Sequence, residues 1–179
     1  LRDGSAKSPD KAIAIAWLMH IGGDLHQPLH TSARVTDSEP KGDQGGNLVQ
    51  LMPDGTPRDK RVNLHWFWDS IVGRNIPIKP GMCETDYIAM LGNRMMKKYP
   101  FASVQNKLAL GKYDDWQKET FGYVNDIVFS SDLKRNQMPS EKYKKNAFKL
   151  AERQLPMAGY RLGETLNAIF DVPAVTLTK

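Results

Sequence analysis

The residues of this chain that could do chemistry fall in two short stretches. The chain has only four histidines, and three of them lie in His20-Ile21-Gly22-Gly23-Asp24-Leu25-His26-Gln27-Pro28-Leu29-His30. His20 and Asp24 are four positions apart, which on a helix puts their side chains within about 40° of each other. The same His-x-x-x-Asp spacing recurs at His65 and Asp69 in Leu64-His65-Trp66-Phe67-Trp68-Asp69. A single such pair is ordinarily a weak surface ion pair. Two of them, with His30 just past a helix-breaking proline, point to a metal site. Imidazole nitrogen and carboxylate oxygen both suit zinc at about 2.0–2.2 Å. Trp66, Phe67 and Trp68 beside His65 predict a partly buried site, where an uncompensated charge would be costly. His26 would lie about 200° from Asp24 around a helix, so it reads as a packing or supporting histidine rather than a ligand. Gly45-Gly46-Asn47 is by itself a turn signal. Its functional reading is a loop that brings backbone close to a substrate, with the Asn47 amide on a phosphate oxygen or a base edge.

These residues need elements to hold them. Ser8-Pro9-Asp10 predicts a helix start, with Ser8 as cap and Pro9 at the first helical position. Ala12 to Leu25 is helix-compatible and apolar throughout, as a buried helix would be. Pro28 ends it. Thr31 to Asn47, rich in Gly and polar residues, predicts a loop. Asn47 to Leu51 and Lys60 to Asn63 are expected to pair as a short hairpin around Pro53-Asp54-Gly55. Helices are expected from Leu64 to Val72, Thr85 to Lys98, Asp114 to Phe129 and Ser140 to Phe170. Pro156 and Gly159 are expected to kink the last of these. The pattern as a whole predicts an all-α fold over residues 1–179, one mostly helical domain with a short β-hairpin.

Composition sets outer bounds. The chain's 40% hydrophobic and 25% charged residues are ordinary for a globular protein. No apolar run approaches the roughly 18 residues needed to span a bilayer. The net charge of +5 suits a polyanionic partner, whose counterions are displaced on binding. Cys83 is the sole cysteine, which excludes an internal disulfide and a cysteine-based zinc knuckle. It reads as structural, buried or paired outside this chain.

Three motif blocks together resemble the zinc-dependent single-strand nuclease and 3′-nucleotidase family and its phospholipase C-like superfamily. They are His20-Ile21-Gly22-Gly23-Asp24 running into Gln27-Pro28-Leu29-His30, then Asp43-Gln44-Gly45-Gly46-Asn47, then Asn63-Leu64-His65 with Asp69. Weaker matches lie at Trp116-Gln117-Lys118-Glu119 and along Gln154 to Asn167. The resemblance implies a three-zinc helical architecture. His20 would bind the first zinc, and Asp24 would bridge the first and third at the catalytic centre. His30, His65 and Asp69 would complete the second, and Asn47 would contact substrate near the scissile phosphate. Gln44 stands where family members usually carry Arg. The family's N-terminal tryptophan, further zinc ligands, catalytic Asp and Arg have no counterparts here. The chain therefore resembles the C-terminal two thirds of a member.

The implied activity is zinc-assisted hydrolysis of single-stranded DNA or RNA to 5′-phosphate products, with 3′-nucleotidase activity alongside it. A secreted or periplasmic monomer with no membrane partner is expected. Two alternatives stand beside it. A zinc phospholipase C carries Glu where this chain has Asp69, and a shorter gap before His65. A non-catalytic fragment would keep only a structural zinc.

Overall fold

The computed structural model describes residues 1–170, so the last nine residues of the expected domain lie outside the description. The fold is all-α. Helix α1 spans Ser8–Asp24, α2 Leu64–Asp69, α3 Ile71–Asn75, α4 Glu84–Lys98, α5 Phe101–Val104, α6 Tyr113–Phe121 and α7 Glu141–Phe170. The long α7 is the organising element, and α1, α3 and α4 each pack on it. It starts where Ser140 Oγ accepts from Tyr143 N at 3.1 Å, as its cap position predicts. It runs as one helix through Pro156 and Gly159.

The core lies between α7 and the α2–α3 pair. Leu29, Leu64, Phe67, Trp68, Ile71 and Leu150 are buried in one cluster. Polar atoms inside it are paired: Trp68 Nε1 donates to Tyr143 Oη at 3.1 Å, and Tyr143 Oη donates to Val128 O at 2.8 Å. Burial pushes the Tyr143 phenol above its ordinary range, so it serves here as a neutral hydrogen-bond relay.

Several sequence expectations are corrected. Helix α1 is not buried: Ile13, Trp17, Met19 and Ile21 are exposed, and Gly22 is its one buried residue. Its sequence has no polar stripe, yet the described residues cover only the side that meets α7. Its cap position is Lys7, with no side-chain hydrogen bond, and Ser8 is the first helical residue. The expected hairpin shrinks to an isolated bridge between Gln50 and Asn63. Leu51 N donates to Val62 O and Leu64 N to Val49 O, after which α2 begins and pairing ends. The helix expected from Leu64 to Val72 breaks at Ser70 into α2 and α3. Helix α6 starts at Tyr113, has no side-chain cap, and ends at Phe121. A single π-helical turn, Val124–Val128, follows it. Cys83 is exposed rather than buried, and its Sγ accepts from Asp86 N at the start of α4. Among the described residues, no helix is long and apolar enough to cross a membrane.

Candidate metal centre

Three elements, α1, a 3₁₀ turn and α2, bring the five expected ligands together. His20 and Asp24 sit on the last turn of α1, with His20 Nε2 3.1 Å from Asp24 Oδ2. The chain turns through Leu25 to Gln27 into a 3₁₀ turn, Pro28–His30, which swings His30 back toward α1. His30 Nδ1 lies 3.2 Å from Asp24 Oδ1, and its Nε2 lies 3.2 Å from Asp69 Oδ1. His65 and Asp69 share one face of α2, with His65 Nε2 3.3 Å from Asp69 Oδ2. The five side chains thus form one continuous series: His20, Asp24, His30, Asp69, His65.

Ligand atoms of His30, His65 and Asp69 lie within 4.8 Å of one another. Two imidazole nitrogens and one carboxylate oxygen are a donor set that zinc accepts, and three protein ligands leave the fourth position open. His65 is aimed by its other nitrogen, since Nδ1 lies 2.8 Å from Gly45 O and donates to it, leaving Nε2 facing Asp69. Such a backbone acceptor on the far side of a ligand imidazole fixes its tautomer and ring orientation. The donor set and this aiming fit a zinc ion.

The Gly45-Gly46 pair serves this arrangement by close packing. Gln44, Gly45 and Gly46 have φ of 55°, 61° and 83°, a left-handed run that glycine tolerates and side chains resist. A Cβ on Gly45 would meet Leu29 O at 2.5 Å, and one on Gly46 would press on the Leu29 and Leu64 side chains at 3.2–3.3 Å. The loop is thereby clamped between the 3₁₀ turn that carries His30 and the helix that carries His65. Asn47 Nδ2 donates to Gln44 O at 2.9 Å, and Asn63 Nδ2 donates to Asn47 Oδ1 at 3.3 Å. Asn63 also caps α2 through Trp66 N. Of the aromatic run beside His65, Phe67 and Trp68 are core residues, while Trp66 is exposed.

His26 takes no place among the candidate ligands. It is buried, with Nδ1 2.8 Å from Gly22 O and Nε2 2.9 Å from Arg161 Nη1. Arg161 can only donate, so His26 is neutral, with its proton on Nδ1. Burial, and then the Arg161 charge, push it down to about 4, against the opposing pull of Gly22 O and the Glu119 carboxylate. Arg161 further donates to Leu108 O, Lys107 O and Glu119 Oε2 at 3.1, 2.9 and 2.5 Å. This network ties α1, α6 and α7 together behind the site.

Sequence reasoning singled out no supporting role for Gln27, whose Nε2 donates to Asp69 Oδ1 at 3.0 Å. Its place between two ligand-bearing segments was the available signal. The structure also contains an apolar cavity of about 320 Å³ bordered by Gln27, Trp68, Asp69, Ile71, Leu150 and Gln154. No periodicity in the sequence marks it.

A model of the S1/P1 Nuclease family matches residues 1–171. Among curated proteins, the chain is 29% identical over 176 residues to Endonuclease 5 of Arabidopsis thaliana, covering 88% of this chain and 51% of that protein. It is 24% identical over 170 residues to Endonuclease 4 of the same plant, covering 88% of this chain and 50% of that protein. The chain spans about half the length of the curated relatives it matches. With the family matched over nearly the whole chain, and the motif blocks gathered at one site, the chain belongs to the S1/P1 nuclease family.

Proposed function

We propose that this chain forms the metal-binding part of a zinc-dependent endonuclease. Its substrate is single-stranded DNA or RNA, its products carry 5′-phosphates, and 3′-nucleotidase activity belongs to the same site. The observation that carries this reading is the convergence of His30, His65 and Asp69, with ligand atoms within 4.8 Å of one another, on one side of Asp24.

Zinc bound there supplies a Lewis acid for a phosphoryl oxygen and lowers the pKa of a water it holds. The chain's own residues hold and orient. His30, His65 and Asp69 are the ligands of one ion, and His20 and Asp24 are assigned to the neighbouring, catalytic position. Asp24 stands between His20 and His30 at 3.1 and 3.2 Å, so its two oxygens face the two halves of the centre. An amide nitrogen carries two hydrogens. One hydrogen of Asn47 is committed to Gln44 O, and the other is assigned to a substrate phosphate oxygen. The net charge of +5 favours a polyanion. A secreted or periplasmic monomer is part of the same reading, and it rests on the family resemblance.

The test is hydrolysis by a protein that contains this chain and matches its relatives in length. Zinc-dependent cleavage of a single-stranded oligonucleotide is expected, with 5′-phosphate ends and little action on the duplex. Release of phosphocholine from phosphatidylcholine, without cleavage of the oligonucleotide, would overturn the reading in favour of a phospholipase.

A further inference from the structure

We propose that Gln27 is a positioning residue for Asp69: its amide N–H fixes the carboxylate in the orientation that zinc requires. This inference rests on the reading of Asp69 as a metal ligand.

The two ends of the Gln27 amide are told apart by their partners. Leu29 N lies 2.6 Å from Gln27 Oε1. A backbone N–H can only donate, so the oxygen end of the amide must face Leu29. That leaves the Nε2 end, a donor, against Asp69 Oδ1 at 3.0 Å. The backbone of the 3₁₀ turn thus sets the amide, and the amide sets the carboxylate. The same turn carries His30, so Gln27 couples the placement of two ligands that are 39 positions apart in sequence.

Asp69 needs such a partner. It is the last residue of α2, where the unpaired carbonyls of a helix end disfavour a negative charge. Its side chain is partly exposed and would otherwise rotate. With Oδ1 held by Gln27, Oδ2 is left toward His65 Nε2 at 3.3 Å. Carboxylate ligands are commonly hydrogen-bonded by outer residues in this way, and loss of such a partner typically weakens metal binding by about 10–100-fold.

The experiment is zinc titration calorimetry on four proteins: the unmodified chain, Gln27→Met, Asp69→Asn and the double variant. Methionine keeps the length of the side chain and removes both amide ends. Gln27→Met is expected to weaken zinc binding by about 10–100-fold when Asp69 is present, and to cause no further loss in the Asp69→Asn background. Equal losses in both backgrounds would overturn the proposal, because Gln27 would then act only through its bond to Leu29. Unchanged zinc affinity in Gln27→Met would overturn it outright. If Asp69→Asn itself leaves zinc affinity intact, the metal reading of the site fails first, and the two failures are thereby distinguished. Gln27→Asn is the second variant should the methionine protein not fold. It keeps both amide ends on a shorter arm, and a loss seen only with Asp69 intact is again expected.

Discussion

The rings of His30 and His65 stack, with centroids 5.0 Å apart and planes inclined by 20°. They come from a 3₁₀ turn and a helix separated by more than thirty residues, yet each sends Nε2 to within 3.3 Å of the Asp69 carboxylate. With the rings stacked, both Nε2 atoms come to one carboxylate, an arrangement that would suit a shared ion. The aim of His65 depends on Gly45 O, and the position of that oxygen depends on a residue whose left-handed φ and close approach to Leu29 O leave no room for a side chain.

Asp69→Asn is expected to act through the metal and not through the fold. The chain should bind one zinc tightly, at His30, His65 and Asp69, the three-residue group found among the described residues. An amide keeps the shape of the carboxylate and removes its charge, so zinc content measured by atomic absorption should fall by about one ion per chain. Asp69 lies outside the packed core, so unfolding of the zinc-free protein should change by no more than about 0.5 kcal/mol. Retained zinc with a destabilised apo fold would make Asp69 a structural helix-end residue.

Gly45→Ala is expected to damage both stability and zinc binding. Its φ of 61° costs an alanine about 1 kcal/mol or more, and the new methyl would meet Leu29 O at 2.5 Å. Backbone cannot yield as a side-chain tip can, so the loop must shift and carry Gly45 O away from His65. Denaturant unfolding should show a loss of more than about 1 kcal/mol, together with weaker zinc binding. A loss of stability with unchanged zinc affinity would mean that His65 is held by packing alone.

What the sequence disclosed, and what it hid, follows from the range of the interactions involved. His20 with Asp24 and His65 with Asp69 were legible because helical geometry is local: four residues separate each pair. The helical class and the start of α7 at Ser140 were legible for the same reason. The link from Gln27 to Asp69 was not, because it spans 42 positions and depends on how a turn folds back on α2. The break at Ser70 escaped for a related reason. Ser70 Oγ donates to Trp66 O, and Arg74 donates to Phe67 O and lies 4.1 Å over the Phe67 ring. Those contacts close one helix and open another without any proline or glycine at the join. Exposure of α1 was misread because an apolar helix announces that it needs partners, not where they are.

Stability should fall between about pH 6.5 and 4 on account of His26. Its folded pKa of about 4 lies below the ordinary 6.5, so the unfolded chain binds a proton that the folded one resists. The contribution is therefore fully present above pH 6.5 and is lost as the pH falls toward 4. Its full size is about 3 kcal/mol. The groups that face the ring are Arg161, which disfavours the proton, and Glu119, which favours it. Denaturation curves across this range should show a slope that His26→Gln reduces. An unchanged slope in that variant would assign the acid sensitivity to other groups.

Gln154→Leu is expected to stabilise the chain. Gln154 is 3% exposed, on the wall of the 320 Å³ cavity beside Trp68 and Leu150. Neither of its amide atoms has a hydrogen-bond partner among the described residues. An unmatched buried polar group costs about 1–3 kcal/mol, and an apolar replacement of similar shape removes that cost. Leucine is close in size and would meet the apolar walls directly. A gain on the order of 1 kcal/mol should raise the midpoint of thermal unfolding by about 2–4 °C for a chain of this length. Gln154→Ala serves as the control: it removes the same polar atoms but enlarges the cavity, so it should not stabilise. If leucine instead lowers the midpoint as much as alanine does, the amide is satisfied by water held in the cavity, and the polar wall is a built feature of the fold.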